Sequence, residues 1–401
     1  MKIGASAEFA LTAACAVWPP SQARNFAIRT AALCVTDCDK FLRVVRRQRV
    51  DGLVHQGLSA AGVALPPAGA LALQRRAHHI AKRNELLNRE SMRLQGLFDQ
   101  AGLPNLVLKG ATLSVLAYND LAVKLAWDID LITDPDAVQP AIMLLQQAGY
   151  RLRSPSPFLT PRQLGTFVAM GREFILVSAK DHIFVELKWA LDQNPRLLPA
   201  LSARSPWQAV PMGDGGGLRT LNREALFSYL CVHGARHCFS RLKWLADLAA
   251  LLAGESAEEI ERLYRLSQQQ GAHRCSAQAL LLSEQLLGTA LPTHLSNELK
   301  ADRLTRWLVN MAIVTMAGGD GESELEARPF STTRILMSHL LIGRDLATFL
   351  AELKLKFASA RDRINTPLPR WAGFIYPLIR LPLSVWRRAA YGAAQRRRRR
   401  G

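Results

Sequence analysis

Hydrophobic residues recur at helical spacing through the first 102 residues of the chain. The clearest example is the segment 75–100, where Leu87, Leu94 and Phe98 lie seven and four residues apart. Such spacing gathers apolar side chains on one face of an α-helix. We therefore predict a helical N-terminal region over residues 1–102.

The pattern changes to that of β-strands in the region 103–220. Residues 127–132 (WDIDLI) alternate polar and apolar positions, and residues 106–108 (LVL) form a short apolar run. Residues 174–177 (FILV) and 183–187 (IFVEL) are two β-rich runs separated by five residues, a spacing typical of a hairpin. These patterns predict about four strands.

A helix is predicted between the second and third of these strands. Asp134-Pro135-Asp136 offers an N-cap, a proline at the first helical position and an acid in the first turn, with Asp136 as the alternative cap. The apolar face of this helix is then formed by Val138, Ile142 and Leu145.

Helical periodicity returns at residue 221 and continues to about residue 360, as in the series Leu242, Leu245, Leu248 and Leu251. Residues 361–401 are different, being rich in proline, aromatic residues and arginine. The whole pattern predicts an α+β protein. A small mixed β-sheet core over 103–220 is embedded between helical regions over 1–102 and 221–360, and a basic tail over 361–401 follows.

The charge of the chain is strongly uneven. Its 51 Lys and Arg against 33 Asp and Glu give a net charge of +18, and 49% hydrophobic residues exclude a disordered chain. Nine arginines and no acid lie between Arg370 and Gly401, so half of the excess charge is in the tail. This composition suits an anionic membrane surface, with a solvated tail and RNA binding as alternatives. Nucleic acid is disfavoured as a partner of the body, which has no aromatic and basic RNA motif.

The cysteines and the apolar segments indicate the compartment. Six scattered cysteines in 401 residues are too few for a disulfide framework and are expected to be free thiols. The longest uncharged run, residues 52–74, contains Pro66 and Pro67, so no transmembrane helix is predicted. We expect a cytoplasmic protein, with the tail as its possible contact to the inner face of a membrane.

Three carboxylates are the candidate chemistry. Asp128 and Asp130 lie two apart on a predicted strand, so their side chains point to the same face, and Glu186 lies in a later strand. Such a set can hold Mg²⁺ ions, which neutralise a triphosphate. The Lys109-Gly110 turn opens a helix whose free backbone N–H groups would face the phosphates.

His233 and His237 are four residues apart and so share a face of a predicted helix. Metal binding is one interpretation, because Cys231 and Cys238 lie beside them. Contact with a phosphate or with an acceptor is a second interpretation, and simple packing is the third.

The order of these motifs resembles a known family. The motifs are Leu108-Lys109-Gly110-Ala111, residues 124–132 (KLAWDIDLI), residues 185–189 (VELKW), His233-x3-His237, and residues 242–247 (LKWLAD). Together they are similar to the uncharacterised nucleotidyltransferase family of the polymerase-β-like superfamily, which is often associated with bacterial surface-polysaccharide gene clusters. The resemblance covers roughly residues 25–255.

The resemblance implies a Mg²⁺- or Mn²⁺-dependent transfer of a nucleoside monophosphate from an NTP to an unidentified acceptor, with release of pyrophosphate. It makes Asp128 and Asp130 metal ligands and Glu186 a third carboxylate that binds metal or takes the acceptor proton. Nucleotide and phosphate binding falls to Lys109, Gly110, Lys124 and Lys188.

This chain departs from the family pattern at four positions: Ala111 replaces a serine, Lys124 an arginine, Trp127 a glycine and Lys188 a histidine. These departures support an alternative hypothesis, a non-catalytic module of the same fold that binds nucleotide or a partner protein at the membrane surface. All three carboxylates are retained.

Overall fold

The structure is a computed structural model that describes residues 5–213, 216–318, 331–357 and 360–365. Beyond its first five residues, the predicted basic tail lies outside the described residues, and its membrane contact stays a prediction. Within the described residues no helix is both long and apolar enough to span a membrane. All six cysteines are free, as predicted.

Helices make up most of the described chain. They are α1 Ala7–Ala16, α2 Gln22–Ala32, α3 Cys38–Gln48, α4 Asp51–Ala61, α5 Pro67–Gln100, α6 Ala111–Tyr118, α7 Val138–Gln147, α8 Pro161–Met170, α9 Arg223–Arg236, α10 Leu242–Leu251, α11 Ala257–Gln269, α12 Arg274–Leu287, α13 Thr293–Ala301, α14 Arg303–Ala317, α15 Ser331–Leu341, α16 Leu346–Phe357 and α17 Ala360–Asn365. The strands are β1 Leu106–Val107, β2 Asp128–Ile132, β3 Tyr150–Ser154, β4 Glu173–Ser178, β5 Phe184–Lys188, β6 Trp207–Pro211 and β7 Gly217–Leu221. The predicted α+β class is confirmed.

Local signals explain where the N-terminal helices begin. The side chains of Ser6, Ser21 and Asp37 each accept a hydrogen bond from a backbone N–H three residues on, at 3.2, 3.1 and 2.8 Å. These caps satisfy donors that the first helical turn leaves free. Helix α5 then runs for 34 residues, so the long helical pattern of the sequence is one continuous element.

The main sheet has five strands in the order β1-β2-β5-β4-β3. Strands β2 and β5 are parallel, and the other neighbours are antiparallel. Strands β4 and β5 form the predicted hairpin, in which the Ser178 N–H donates to the Ile183 carbonyl at 2.9 Å. The sheet is therefore mixed, as predicted.

Three strands were not predicted. Strand β3 carries exposed Arg151 and Arg153 and lies at the edge of the sheet, so its apolar pattern is weak. Strands β6 and β7 form a separate hairpin whose turn lies in a glycine-rich stretch. There the Gly216 N–H donates to the Gly213 carbonyl at 3.0 Å.

The predicted cap at Asp134 is wrong in one respect. Asp134 precedes a 3₁₀ turn, Pro135–Ala137, but its side chain makes no capping hydrogen bond. Its carboxylate accepts instead from the Arg204 guanidinium, and Asp136 does not cap either. The side chain of Asp134 thus makes a charge-assisted hydrogen bond to a partner distant in sequence, a contact that the local cap signal does not reveal.

The two faces of the main sheet have different partners. On one face Ile129, Leu131, Val185 and Leu187 pack in one core with α5 and α7. The opposite face carries the polar residues of β2 and β5, in the alternation that a pleated strand imposes. A second core joins the N-terminal helices to helices α9, α10, α12 and α14. This second core places α9 and α10 beside the polar face.

Candidate active site

The three predicted carboxylates meet on the polar face of the sheet. Asp128 and Asp130 are on the same face of β2, and the parallel register places Asp130 directly beside Glu186 of β5. Oxygen atoms of the three side chains lie within 4.8 Å of one another. Asp130 is buried, with 1% of its surface exposed, and Asp128 and Glu186 are half-buried.

Two lysines lie among these carboxylates. The Nζ of Lys109 is 2.5 Å from Asp130 Oδ2 and 4.0 Å from Asp128 Oδ1. The Nζ of Lys188 is 3.3 Å from Asp130 Oδ1 and 2.5 Å from Glu186 Oε2. Lys188 also contacts Glu173 Oε2 at 2.5 Å, so its ammonium group is ion-paired with three carboxylates.

The pKa values reflect this excess of negative charge. Burial and then the charge of Asp130 raise the pKa of Glu186 to about 7, although Lys188 is in contact with it. Burial alone would raise the pKa of Asp130, but Lys109 and Lys188 outweigh it and hold that pKa well below its usual value. Asp130 is therefore ionised, and Glu186 titrates near neutral pH.

A divalent cation fits this cluster. Both carboxylate oxygens of Asp130 are buried, and each is in contact with an ammonium group, Oδ2 with Lys109 at 2.5 Å and Oδ1 with Lys188 at 3.3 Å, so positive charge is already drawn to this point. Hard cations such as Mg²⁺ prefer carboxylate oxygens. Among the described residues, this is the group of His, Cys, Asp and Glu side chains whose donor atoms are close enough to share an ion.

Helix α6 begins beside the carboxylates. Its N-cap is Gly110, which has φ +75° and supplies no side-chain hydrogen bond to the first turn. A positive φ of this size favours glycine, and a Cβ here would lie 3.8 Å from the Asp128 carbonyl. The uncapped N–H groups of the first turn are free to bind an anion.

A small cavity separates the sheet from α9 and α10. Its walls are Lys109, Gly110, Leu113, residues 124–128, Leu230, His233, Lys243, Trp244 and Asp247. Its volume is about 30 Å³, which is room for about one water molecule. A ligand larger than one water molecule can therefore enter only if lining side chains move. Trp127, one of the four departures from the family pattern, lines the cavity and is 49% exposed.

Lys124 reaches the same cavity from the loop before β2. Its Nζ lies 3.7 Å from Asp247 Oδ2, and the Tyr118 hydroxyl donates to Asp247 Oδ1 at 3.0 Å. Asn84 of α5 holds the loop, because its side-chain N–H₂ donates to the Lys124 carbonyl at 2.5 Å. Lys124 is thus fixed at the cavity wall.

The two histidines are packed with aromatic rings. His237 stacks on Trp244 with ring centroids 4.5 Å apart, and His233 lies 4.9 Å from His237. Burial and then Lys109 lower the pKa of His233 well below its usual value, so that ring is neutral. His237 is more exposed to solvent than His233. His233 lines the cavity, whereas His237 does not, and neither belongs to the metal-ligand group.

Two residues of the site were missed in the sequence. Glu173 pairs directly with Lys188 across the β4–β5 hairpin, a register that the hairpin prediction could have provided. Lys243 lies within one of the motifs, but only the packing of α10 brings it to the cavity. Nothing local in the sequence signals that position.

Three carboxylates, two lysines and a helix N-terminus on one sheet face are typical of proteins that act on metal-complexed phosphates. The chain belongs to an uncharacterised nucleotidyltransferase family, whose model matches residues 35–288. The family assigns nucleotidyl transfer to the protein as its general activity. The matched range includes both sheets and ends just after α12. No curated protein matches the chain at a significant level.

Proposed function

We infer that this protein transfers a nucleoside monophosphate from an NTP to an acceptor, with Mg²⁺ or Mn²⁺ as its cofactor. One observation carries the inference: the oxygens of Asp128, Asp130 and Glu186 converge within 4.8 Å on the polar face of the sheet. The nucleotidyltransferase family of the chain supports it.

The proposed roles follow from position. Asp128, Asp130 and Glu186 hold the cation, which when bound neutralises the triphosphate and polarises the reacting phosphate. Lys109 and the first turn of α6 bind the β and γ phosphates, because they lie beside the carboxylates at the cavity wall. Lys124 and Lys188 add positive charge around them.

The proposed reaction is a displacement at the α-phosphorus. An acceptor oxygen forms a new P–O bond while the bond between the α-phosphorus and the bridging oxygen breaks, and pyrophosphate leaves. The acceptor proton goes to Glu186. Without a cation the pKa of Glu186 is raised to about 7, and a bound cation would lower it, which would keep Glu186 ionised and able to accept a proton at neutral pH.

The motif resemblance makes a sugar of a surface polysaccharide the first acceptor class to test. The arginine-rich tail adds the proposal that the protein works at an anionic membrane surface. Both proposals go beyond the family match, which supports nucleotidyl transfer in general and names no acceptor or membrane.

The test is the melting temperature of the wild type and of Asp130→Asn with ATP, GTP, CTP or UTP, each with and without Mg²⁺ or Mn²⁺. A ligand that binds only the folded protein raises the melting temperature. We expect a metal-dependent rise for at least one nucleotide, lost in Asp130→Asn and kept in Asp136→Asn. Asp136 is the matched control because it is exposed and lies just after the same strand.

Pyrophosphate release then separates the two hypotheses. Release that depends on metal and on Asp130 supports the transferase. Metal-dependent nucleotide binding without release, across a panel of sugar, lipid-linked and protein acceptors, favours the non-catalytic module. A nucleotide shift that survives Asp130→Asn contradicts the assigned site.

A further inference from the structure

A third lysine lies at the cavity and has no assigned role. Lys243, at the second position of α10, lines the cavity together with Lys109 and Lys124. It comes from α10, whereas Lys109 directly precedes the N-cap of α6 and Lys124 lies in the loop before β2. Lysines from three parts of the chain therefore border the cavity.

The three lysines differ in their partners. Lys109 is held by Asp130 at 2.5 Å, and Lys124 lies 3.7 Å from Asp247. Lys243 has no carboxylate oxygen within 4.0 Å among the described residues. Its Nζ lies over the ring of Trp244, 5.6 Å from the centroid. A cation–π contact compensates a desolvated ammonium only in part.

The surroundings of Lys243 oppose its charge. Burial lowers its pKa to about 7, and the neighbouring cations Lys124, Lys109 and Arg49 act in the same direction. Asp247 acts in the opposite direction but is also shared with Lys124. A group of cations around one cavity is unfavourable until an anion enters it.

The part of the cavity wall formed by α6 also favours an anion. Gly110 and Leu113 of the first turn of α6 line the cavity, and this turn has no side-chain cap. Backbone donors and an ammonium group without an acidic partner within 4.0 Å thus border one space, which Asp128 of β2 also lines. Phosphate oxygens are the acceptors that both kinds of donor bind.

We propose that Lys243 is a phosphate-binding residue that contacts the polyphosphate of the substrate, the part that leaves as pyrophosphate. The identity of that polyphosphate as part of a nucleotide rests on the proposed function. Recognition of the polyphosphate itself does not, because it needs neither metal, base nor acceptor.

The experiment is calorimetric titration of the full chain with sodium tripolyphosphate in the presence of EDTA. Loss of a charged hydrogen bond weakens binding by about tenfold to hundredfold, so we expect that loss for Lys243→Met. Lys243→Arg retains the charge in a different shape and should lose less affinity than Lys243→Met. Lys354→Met is the matched control, since Lys354 is an exposed lysine of α16, and it should bind as the wild type does.

Two results would overturn the proposal: wild-type affinity in folded Lys243→Met, or no binding of tripolyphosphate to the wild type. If Lys243→Met fails to fold, Lys243→Gln repeats the neutralisation with a polar side chain. The outcomes also separate the two proposals. Tripolyphosphate binding that needs Lys243, with no pyrophosphate release from any NTP, would keep the anion site and reject the transferase. Pyrophosphate release that needs Asp130, together with tripolyphosphate binding that is unchanged in Lys243→Met, would keep the transferase and reject the phosphate-binding role of Lys243.

Discussion

Two clusters of buried charge lie close together in this protein and are built differently. The carboxylate cluster comprises Asp128, Asp130, Glu173, Glu186, Lys109 and Lys188. The second, which we call the α9–α16 clamp, comprises Asp192, Asn194, Arg236, Glu352 and Lys356. Both contain acids and bases that are largely removed from water, and a buried charge without a partner is costly.

The clamp is a closed network. Arg236 Nε donates to Asp192 Oδ2 at 2.7 Å, and its Nη1 lies 2.8 Å from Glu352 Oε2. Glu352 also accepts from Asn194 at 3.2 Å and lies 2.9 Å from the Lys356 ammonium. A planar guanidinium is shared by two carboxylates, and each acid has a donor, so the clamp is suited to hold structure.

The carboxylate cluster has four acids, two point-charge ammonium groups and, at its margin, the Arg172 guanidinium, which lies 3.4 Å from Glu173 Oε1, so acids remain in excess. Its charge is balanced only when a cation is added or a proton is kept, as the raised pKa of Glu186 shows. The comparison teaches that buried charge serves structure where acids and donors are matched, and serves ligand binding where acids are in excess.

The clamp also supports the site. Asp192 follows Lys188 by four residues, so the clamp fixes the chain just after β5, the strand that carries Glu186. Glu352 and Lys356 lie on α16, beyond the range matched by the family model. The C-terminal helices of this chain thus hold an element of the proposed active site.

The largest expected effect is the loss of Arg236. Arg236→Met leaves Asp192 and Glu352 buried without their shared guanidinium, which should cost about 3–5 kcal/mol of unfolding free energy. Urea denaturation followed by circular dichroism measures this. The control is Arg262→Met, because Arg262 forms exposed ion pairs with Glu224 and Glu259 and should change stability little. Equal losses in the two variants would contradict the structural role of the clamp.

Neutralising Glu186 and neutralising Glu173 should change the stability of the protein in opposite directions. In the folded protein the pKa of Glu186 is raised from 4.5 to about 7, so its ionised form costs stability, and this cost grows as the pH rises from about 4.5 to 7 and is complete above that. Glu186→Gln should therefore raise stability by about 1–3 kcal/mol at pH 8 in EDTA, and by much less at pH 5. Its pyrophosphate release should be lost.

Glu173→Gln is the matched comparison. Burial would raise the pKa of Glu173, but Lys188 and Arg172 outweigh it and hold that pKa below its usual value. Its ionised form is stabilising, so the substitution should lower stability at pH 8. Urea denaturation of both variants at pH 5 and pH 8 measures these changes. If both substitutions raise or both lower the stability at pH 8, the charges assigned to Glu173 and Glu186 are wrong.

The sequence predicted Asp128 and Asp130 as a pair because their placement is local, whereas Glu186 was predicted from its place in a later strand and Glu173 was missed. Two residues apart on a strand means the same face, and this holds whatever the rest of the chain does. The partners were not predictable in this way. Arg236 meets Asp192 44 residues earlier in the chain, and Lys243 reaches the cavity only through the packing of α10 against α6 and α9. Periodicity determines which face a residue occupies, whereas the neighbour across that face depends on tertiary packing.

The smallest expected effect concerns the pH dependence of the clamp. His339 of α15 donates from Nε2 to the Arg236 carbonyl at 2.7 Å, and its Nδ1 accepts from Lys356 at 2.9 Å. Burial, Arg236 and Lys356 lower its pKa to about 4, although Glu352 lies 3.7 Å away. Neutral His339 is therefore required by the folded state.

A depressed histidine pKa contributes stability above about pH 6.5 that is lost as the pH falls toward 4, by at most about 1.4 kcal/mol per pH unit. His339→Gln removes this titration but keeps those of Glu352 and the remaining acids. Its melting temperature should fall less between pH 7 and pH 5 than that of the wild type, whereas His79→Gln, at an exposed position of α5, should follow the wild type. Parallel curves for His339→Gln and the wild type would mean that His339 is not held neutral, and that the clamp tolerates one more positive charge.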